Sequence, residues 1–106
     1  VERELEYLVL KVIADSPEPV GSWALRDGLA RAGVSVSEAT AGRILREMDR
    51  QGLTERRGFR GRALTPRGQE RLEVLARERQ VSHHQHAFLE ALRAHSRGQL
   101  LEILEA

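Results

Sequence analysis

Three observations predict a mostly helical α+β domain. Apolar residues recur at helical spacing in several separate stretches, glycines and prolines punctuate those stretches where helices would end, and one glycine-bracketed segment has the pattern of a β-hairpin. A chain of 106 residues that is 41% hydrophobic suits one small folded core with an appended helical element, and leaves no room for a large catalytic cleft.

The first helix is read from Leu5, Leu8, Val9, Val12 and Ile13, whose spacings put an apolar stripe on one face. Ser16-Pro17-Glu18-Pro19 stops it, because proline lacks a backbone donor and pushes the residue before it towards extended geometry. Pro19-Val20-Gly21 can form only a very short extended piece. Gly21 or Ser22 then caps a second helix with Leu25, Leu29 and Ala32 on one face, and Gly33 ends it. Val34-Ser35-Val36 reads as a tight turn with two apolar anchors. Ser37 starts the third helix, where its hydroxyl can cap the first amides and Glu38 complements the positive helix end. Ala41, Ile44, Leu45 and Met48 form the buried face of that helix, and Gly52 stops it.

Leu53 and Ala63-Leu64 anchor two short strands, with Phe59-Arg60 at the tip between Gly58 and Gly61. Thr65-Pro66 then starts a fourth helix, a capping hydroxyl followed by proline at the first helical position. Two helices joined by a turn after a preceding helix make a helix-turn-helix, and the hairpin with its following helix makes it a winged helix-turn-helix. The expected division is 1–79 for this domain and 80–106 for a helical linker, a dimerisation segment or the start of an effector domain. The apolar stripe of Leu100, Leu101, Ile103 and Leu104 suggests a fragment of a longer protein or a chain that pairs with another.

Charge is distributed unevenly. The whole chain carries a formal net charge of +1, yet from Arg43 to Arg71 nine arginines face four acids, while from Val1 to Val36 six acids outnumber four bases. A surplus confined to one segment is what a phosphate-facing surface needs. Lys11 is the only lysine, and arginine's planar fork can bind phosphate or guanine through paired hydrogen bonds. A high-GC genome explains the arginine excess equally well, but it does not explain the clustering.

With about 100° per residue and Ala41 at the buried centre, Ala39, Arg43, Arg46 and Arg50 fall on the outward face of the third helix, flanked by Thr40 and Glu47. The N-terminal part of such a helix reaches base edges in the major groove, which selects Ser37, Glu38, Ala39, Thr40 and Arg43 as readers and leaves Arg46 and Arg50 for phosphate. Arg43 suits guanine, Glu38 a cytosine amino group and Ala39 a thymine methyl. A plainer reading has the three arginines solvating the face and pairing with Glu47 or Asp49.

The hairpin adds Arg56, Arg57, Arg60 and Arg62; Arg57 and Arg60, near the turn, are better placed for phosphate or the minor groove than all four together. Phe59 is read either as a plug packed under the hairpin or as a group near DNA. Ser22 and Trp23 open the second helix, whose amides can receive a phosphate, although Trp23 can equally cover the core edge.

From Leu8 to Leu72 the chain resembles the N-terminal winged-helix domains of archaeal nitrogen repressors and related bacterial regulators. The matching residues are Pro19-Val20-Gly21-Ser22, Leu25, Leu29, Gly33, Ser37-Glu38-Ala39-Thr40, Arg43-Ile44-Leu45, Gln51-Gly52-Leu53-Thr54, Gly61-Arg62, Leu64-Thr65 and Gly68. The segment from Glu78 to Ala106 looks like the lead-in to the helical FCD effector domain of GntR-type regulators, chiefly at His84 to Leu92 and Leu100 to Glu105. These resemblances imply a double-stranded DNA partner, a homodimer and a small-molecule effector bound by a further domain; none of that family's ligand or metal residues transfers to a position here.

The absence of cysteine excludes disulfides and thiolate metal sites, and no apolar run approaches a membrane span, so a cytoplasmic protein is the expectation. His83, His84, His86 and His95 raise a metal site, but no acid stands at a matching position, and a solvated or interface cluster is preferred. No cofactor is expected. No nucleophile–base pair, glycine-rich phosphate loop or paired carboxylates stand out, so the chain is read as a binding module rather than an enzyme. The alternative class is an accessory winged helix for RNA or protein, which the small number of aromatics (Tyr7, Trp23, Phe59 and Phe88) disfavours for single-stranded RNA.

Overall fold

The computed structural model describes residues 2–94, with side chains described for residues 2–80. The element order is α1 (Arg3–Asp15), α2 (Ser22–Arg31), α3 (Glu38–Arg50), β1 (Thr54–Arg56), a short 3₁₀ turn (Gly58–Arg60), β2 (Arg62–Leu64) and α4 (Pro66–Ala94). This is the three-helix, hairpin and fourth-helix order of a winged helix. Contacts divide the chain into two compact units, Val1–Leu75 and Ala76–Ala106. The first holds the core and every site residue described below. The tail histidines and the segment resembling an effector domain have their side chains outside the described residues. Among the described residues, no helix is long and apolar enough to cross a membrane.

Local chemistry sets the helix ends. The Glu2 carboxylate accepts from the amides of Glu4 (2.8 Å) and Leu5 (3.3 Å), capping α1. Helix α2 starts at Ser22 with Gly21 as its N-cap, which makes no side-chain cap bond. At the end of α3, Gly52 takes a φ of 76° so that the Leu53 amide can return to the Met48 carbonyl at 3.0 Å and the Gly52 amide to Asp49 at 3.0 Å. This Schellman arrangement satisfies the last carbonyls and delivers Leu53 into the core. Thr65 caps α4 by accepting from the Gly68 amide (3.0 Å), while its hydroxyl donates to the Gly52 carbonyl (2.6 Å) and ties the two corners together.

The core is a single cluster built from α1 (Val9, Leu10, Ile13), Val20, α2 (Leu25, Leu29), α3 (Ala41, Ile44, Leu45, Met48), Leu53 and α4 (Leu72, Leu75). The stripe read on α1 is corrected in phase. Leu10, outside the expected stripe, is fully buried, while Leu5, Leu8 and Val12 are only partly covered. Glu6 is buried as well, and its carboxylate accepts from Arg71 Nε at 2.7 Å, an ion pair between α1 and the start of α4. Helix α1 therefore covers a wide arc, because α2 and β2 both pack on it. Ala32, expected on the apolar face of α2, is the exposed C-cap instead.

The wing is a two-stranded antiparallel sheet with Thr54 opposite Leu64, Glu55 opposite Ala63 and Arg56 opposite Arg62. Val20 adds a bridge to Arg62 through two backbone bonds of 2.8 and 2.9 Å, so the linker between α1 and α2 holds the returning strand. Leu53 lies just before β1 rather than within it.

Candidate nucleic-acid interface

Helix α3 is positioned by its cap and its apolar face. Ser37 Oγ accepts from the Thr40 amide at 3.1 Å, and its hydroxyl donates to Thr40 Oγ1 at 3.0 Å, so both hydroxyls are engaged in starting the helix. Ala41, Ile44, Leu45 and Met48 are buried, which turns Glu38, Ala39, Arg43, Arg46 and Arg50 to solvent; Thr40 is half-buried. At Gly42 the two helices are neighbours, but a β-carbon there would meet Ser22 Cβ at 3.7 Å, an ordinary contact. Ser22, Glu38, Ala39, Gly42, Arg43 and Arg46 together line one open concavity between the start of α2 and the first half of α3. Trp23 beside it is 59% exposed, with the Arg26 guanidinium 5.9 Å from its ring centre. It does not close over the core.

The ion pairs sort the arginines into two groups. Arg50 Nη2 lies 2.6 Å from Glu47 Oε1, and Gln51 donates to the same oxygen at 2.9 Å. The Arg50 hydrogen bond, then that of Gln51, holds the Glu47 carboxyl below the usual carboxylate range, and the same pair raises Arg50. Arg57 lies 2.6 Å from Glu55. Arg62 is turned inward: its side chain is 14% exposed and its Nε donates to Asp49 Oδ2 at 3.1 Å. Arg43, Arg46, Arg56 and Arg60, in contrast, are exposed and have no carboxylate within ion-pair distance among the described residues. The reading that Arg43, Arg46 and Arg50 all pair off locally therefore holds for Arg50 alone.

Asp49 is the connection that sequence spacing did not reveal. One of its oxygens accepts from Thr54 Oγ1 at 2.6 Å and the other from Arg62, so a single carboxylate on α3 holds both strands at the base of the wing. A signal was present: an acid in the last turn of a helix, where the helix dipole opposes it, calls for a compensating partner. Of the four hairpin arginines, the sequence places Arg57 and Arg60 better than the set as a whole; Arg56 is exposed like these two, whereas Arg62 is turned inward. At the wing tip, Phe59 is fully exposed and is not packed under the hairpin.

Residues 7–72 match the family model of the ribonuclease R winged-helix domain. The chain belongs to this winged-helix family. The winged-helix domain is also 35% identical over 69 residues to the global nitrogen regulator NrpRI of Methanosarcina mazei, covering 65% of this chain and 21% of that protein. It is 27% identical over 73 residues to the global nitrogen regulator NrpR of Methanococcus maripaludis, covering 69% of this chain and 14% of that protein. The chain thus spans only 21% and 14% of the length of these two relatives. No solved structure gives a significant match.

Proposed function

We propose that this winged helix binds double-stranded DNA with sequence preference, as the DNA-reading part of a transcriptional regulator. The observation that carries the reading is the outward face of α3, where Arg43 and Arg46 stand exposed beside the start of α2 without carboxylate partners among the described residues, while neighbouring arginines are paired. Buried or paired cations would have little to offer a phosphate or a base; these two are available. Similarity to two proteins named as nitrogen regulators supports the regulatory half of the proposal.

In this reading Glu38, Ala39, Thr40 and Arg43 face base edges, and Ser37 acts mainly by fixing the first turn through its bonds to Thr40. Arg46 and Arg50 meet the backbone, Arg50 by exchanging Glu47 for phosphate. Ser22 and Trp23 present the amide end of α2 to the same strand. On the wing, Arg57 and Arg60 reach phosphate or the minor groove, joined by Arg56, while Arg62 serves the fold through Asp49. A homodimer, and a small-molecule effector bound by a further domain, complete the proposal for the whole protein.

The test is selection of bound duplexes from a random DNA pool by the parent and by Arg43→Ala. The variant should bind the selected duplex about tenfold more weakly and lose preference at one base position. Arg60→Ala should instead weaken binding across all sequences and reduce the slope of log affinity against log salt by about 1. Equal binding and equal preference in both variants would place the interface elsewhere. An RNA-binding accessory role is the second reading, favoured by the family's association with a ribonuclease and by exposed Trp23 and Phe59. Preferential binding of single-stranded RNA over the selected duplex would decide for it.

A further inference from the structure

Phe59 is the most exposed large apolar side chain among the described residues, with its full surface open to solvent. An unburied phenyl ring adds nothing to folding through hydrophobic burial, so the free energy of covering it is available to a partner. Its backbone is nonetheless well anchored. The Arg60 amide donates to the Arg57 carbonyl at 3.2 Å and the Arg57 amide to the Gly61 carbonyl at 2.7 Å, closing the 3₁₀ turn. Gly61 in turn lies directly against the Val20–Gly21 backbone, and Arg62 is bridged to Val20. The ring is thus carried outward on a turn fixed to the core rather than on a loose loop.

The charge around the ring selects the occupant. Arg56 and Arg60 are exposed without carboxylate partners among the described residues, so the tip presents an apolar point with cations on either side of it in sequence. An apolar site of that kind is complementary to a narrow groove floored by base edges and walled by phosphates.

We propose that Phe59 is a wedge that enters the DNA minor groove at the wing tip, with Arg56 and Arg60 on the flanking phosphates. The inference rests on the DNA-binding reading and deepens it, because a wedge reads deformability. Its contact is cheapest at pyrimidine–purine steps, which unstack easily, and it therefore gives preference at a position where no side chain hydrogen-bonds a base.

The experiment uses the 106-residue chain and the duplex it selects from a random pool. Phe59→Ala should leave the unfolding midpoint unchanged, weaken duplex binding about tenfold, and flatten the preference for a flexible step at the wing position. Its salt slope should equal that of the parent, since no phosphate contact is lost. Phe59→Leu should keep most of the affinity, and 2-aminopurine placed at the preferred step should brighten with the parent and not with Phe59→Ala. If the parent selects a duplex and Phe59→Ala binds it equally well with the same preferences, the wedge is wrong while the DNA reading stands. If the parent selects no duplex, both fall. A self-association that Phe59→Ala abolishes, with DNA binding intact, would assign the ring to a second copy of the chain and also overturn the wedge.

Discussion

Gly61→Ala should destabilise the domain by about 3 to 4 kcal/mol, from backbone strain and overpacking together. Gly61 has a φ of 118° and a ψ of −146°, a region that residues with a β-carbon rarely enter. A β-carbon there would also collide with the carbonyl carbon of Val20 and the Gly21 amide nitrogen, which are backbone and cannot rotate away. Relief requires the wing to lift off the α1–α2 linker, breaking the two bonds between Val20 and Arg62. At about 4 to 8 °C per kcal/mol for a domain of this size, the midpoint should fall by more than about 10 °C in a thermal melt. A change of under 1 kcal/mol would mean that the wing is not seated on the linker.

Asp49→Ala should cost about 2 to 3 kcal/mol, chiefly by leaving the largely buried Arg62 guanidinium without its counter-charge. The loss of the Thr54 hydroxyl bond adds to it. Because the penalty comes from an orphaned charge, removing that charge should relieve it. Asp49→Ala combined with Arg62→Leu is expected to be more stable than Asp49→Ala alone in urea unfolding, a sign that additive losses cannot reproduce. The same variant should weaken DNA binding, since the carboxylate is what holds the wing to α3. A double variant less stable than either single one would assign the loss to packing instead.

The parts of this fold that were legible in the sequence are those decided within one turn of chain. Ser37, Gly33, Gly52 and Thr65-Pro66 mark helix ends through local hydrogen bonds, and each does so in the structure. The outward face of α3 follows from helical period and the buried Ala41, Ile44, Leu45 and Met48. What was not legible depends on partners far away in sequence. Glu6 is buried because Arg71 meets it, Arg62 turns inward because Asp49 waits thirteen residues earlier, and Val20 pairs with a strand more than forty residues on. Gly68 carries no local signal either, yet its α-carbon faces the Leu53 carbonyl so closely that a side chain has no room. The outward position of Arg43, Arg46 and Arg50 on α3 was legible from helical period, but their sorting into available and paired arginines needed the ion pairs of the fold. For Phe59 the sequence supports a packed plug at least as well as a group near DNA, and its full exposure removes the packed reading.

That α3 and the wing together form the DNA-facing surface is tested most directly by titrating the isotope-labelled chain with its selected duplex and following the backbone amide signals. The largest shifts should fall on residues 37–50, on Ser22 and Trp23, and on 56–61. Shifts concentrated instead on α1 and around the Glu6–Arg71 pair, with α3 unchanged, would contradict it.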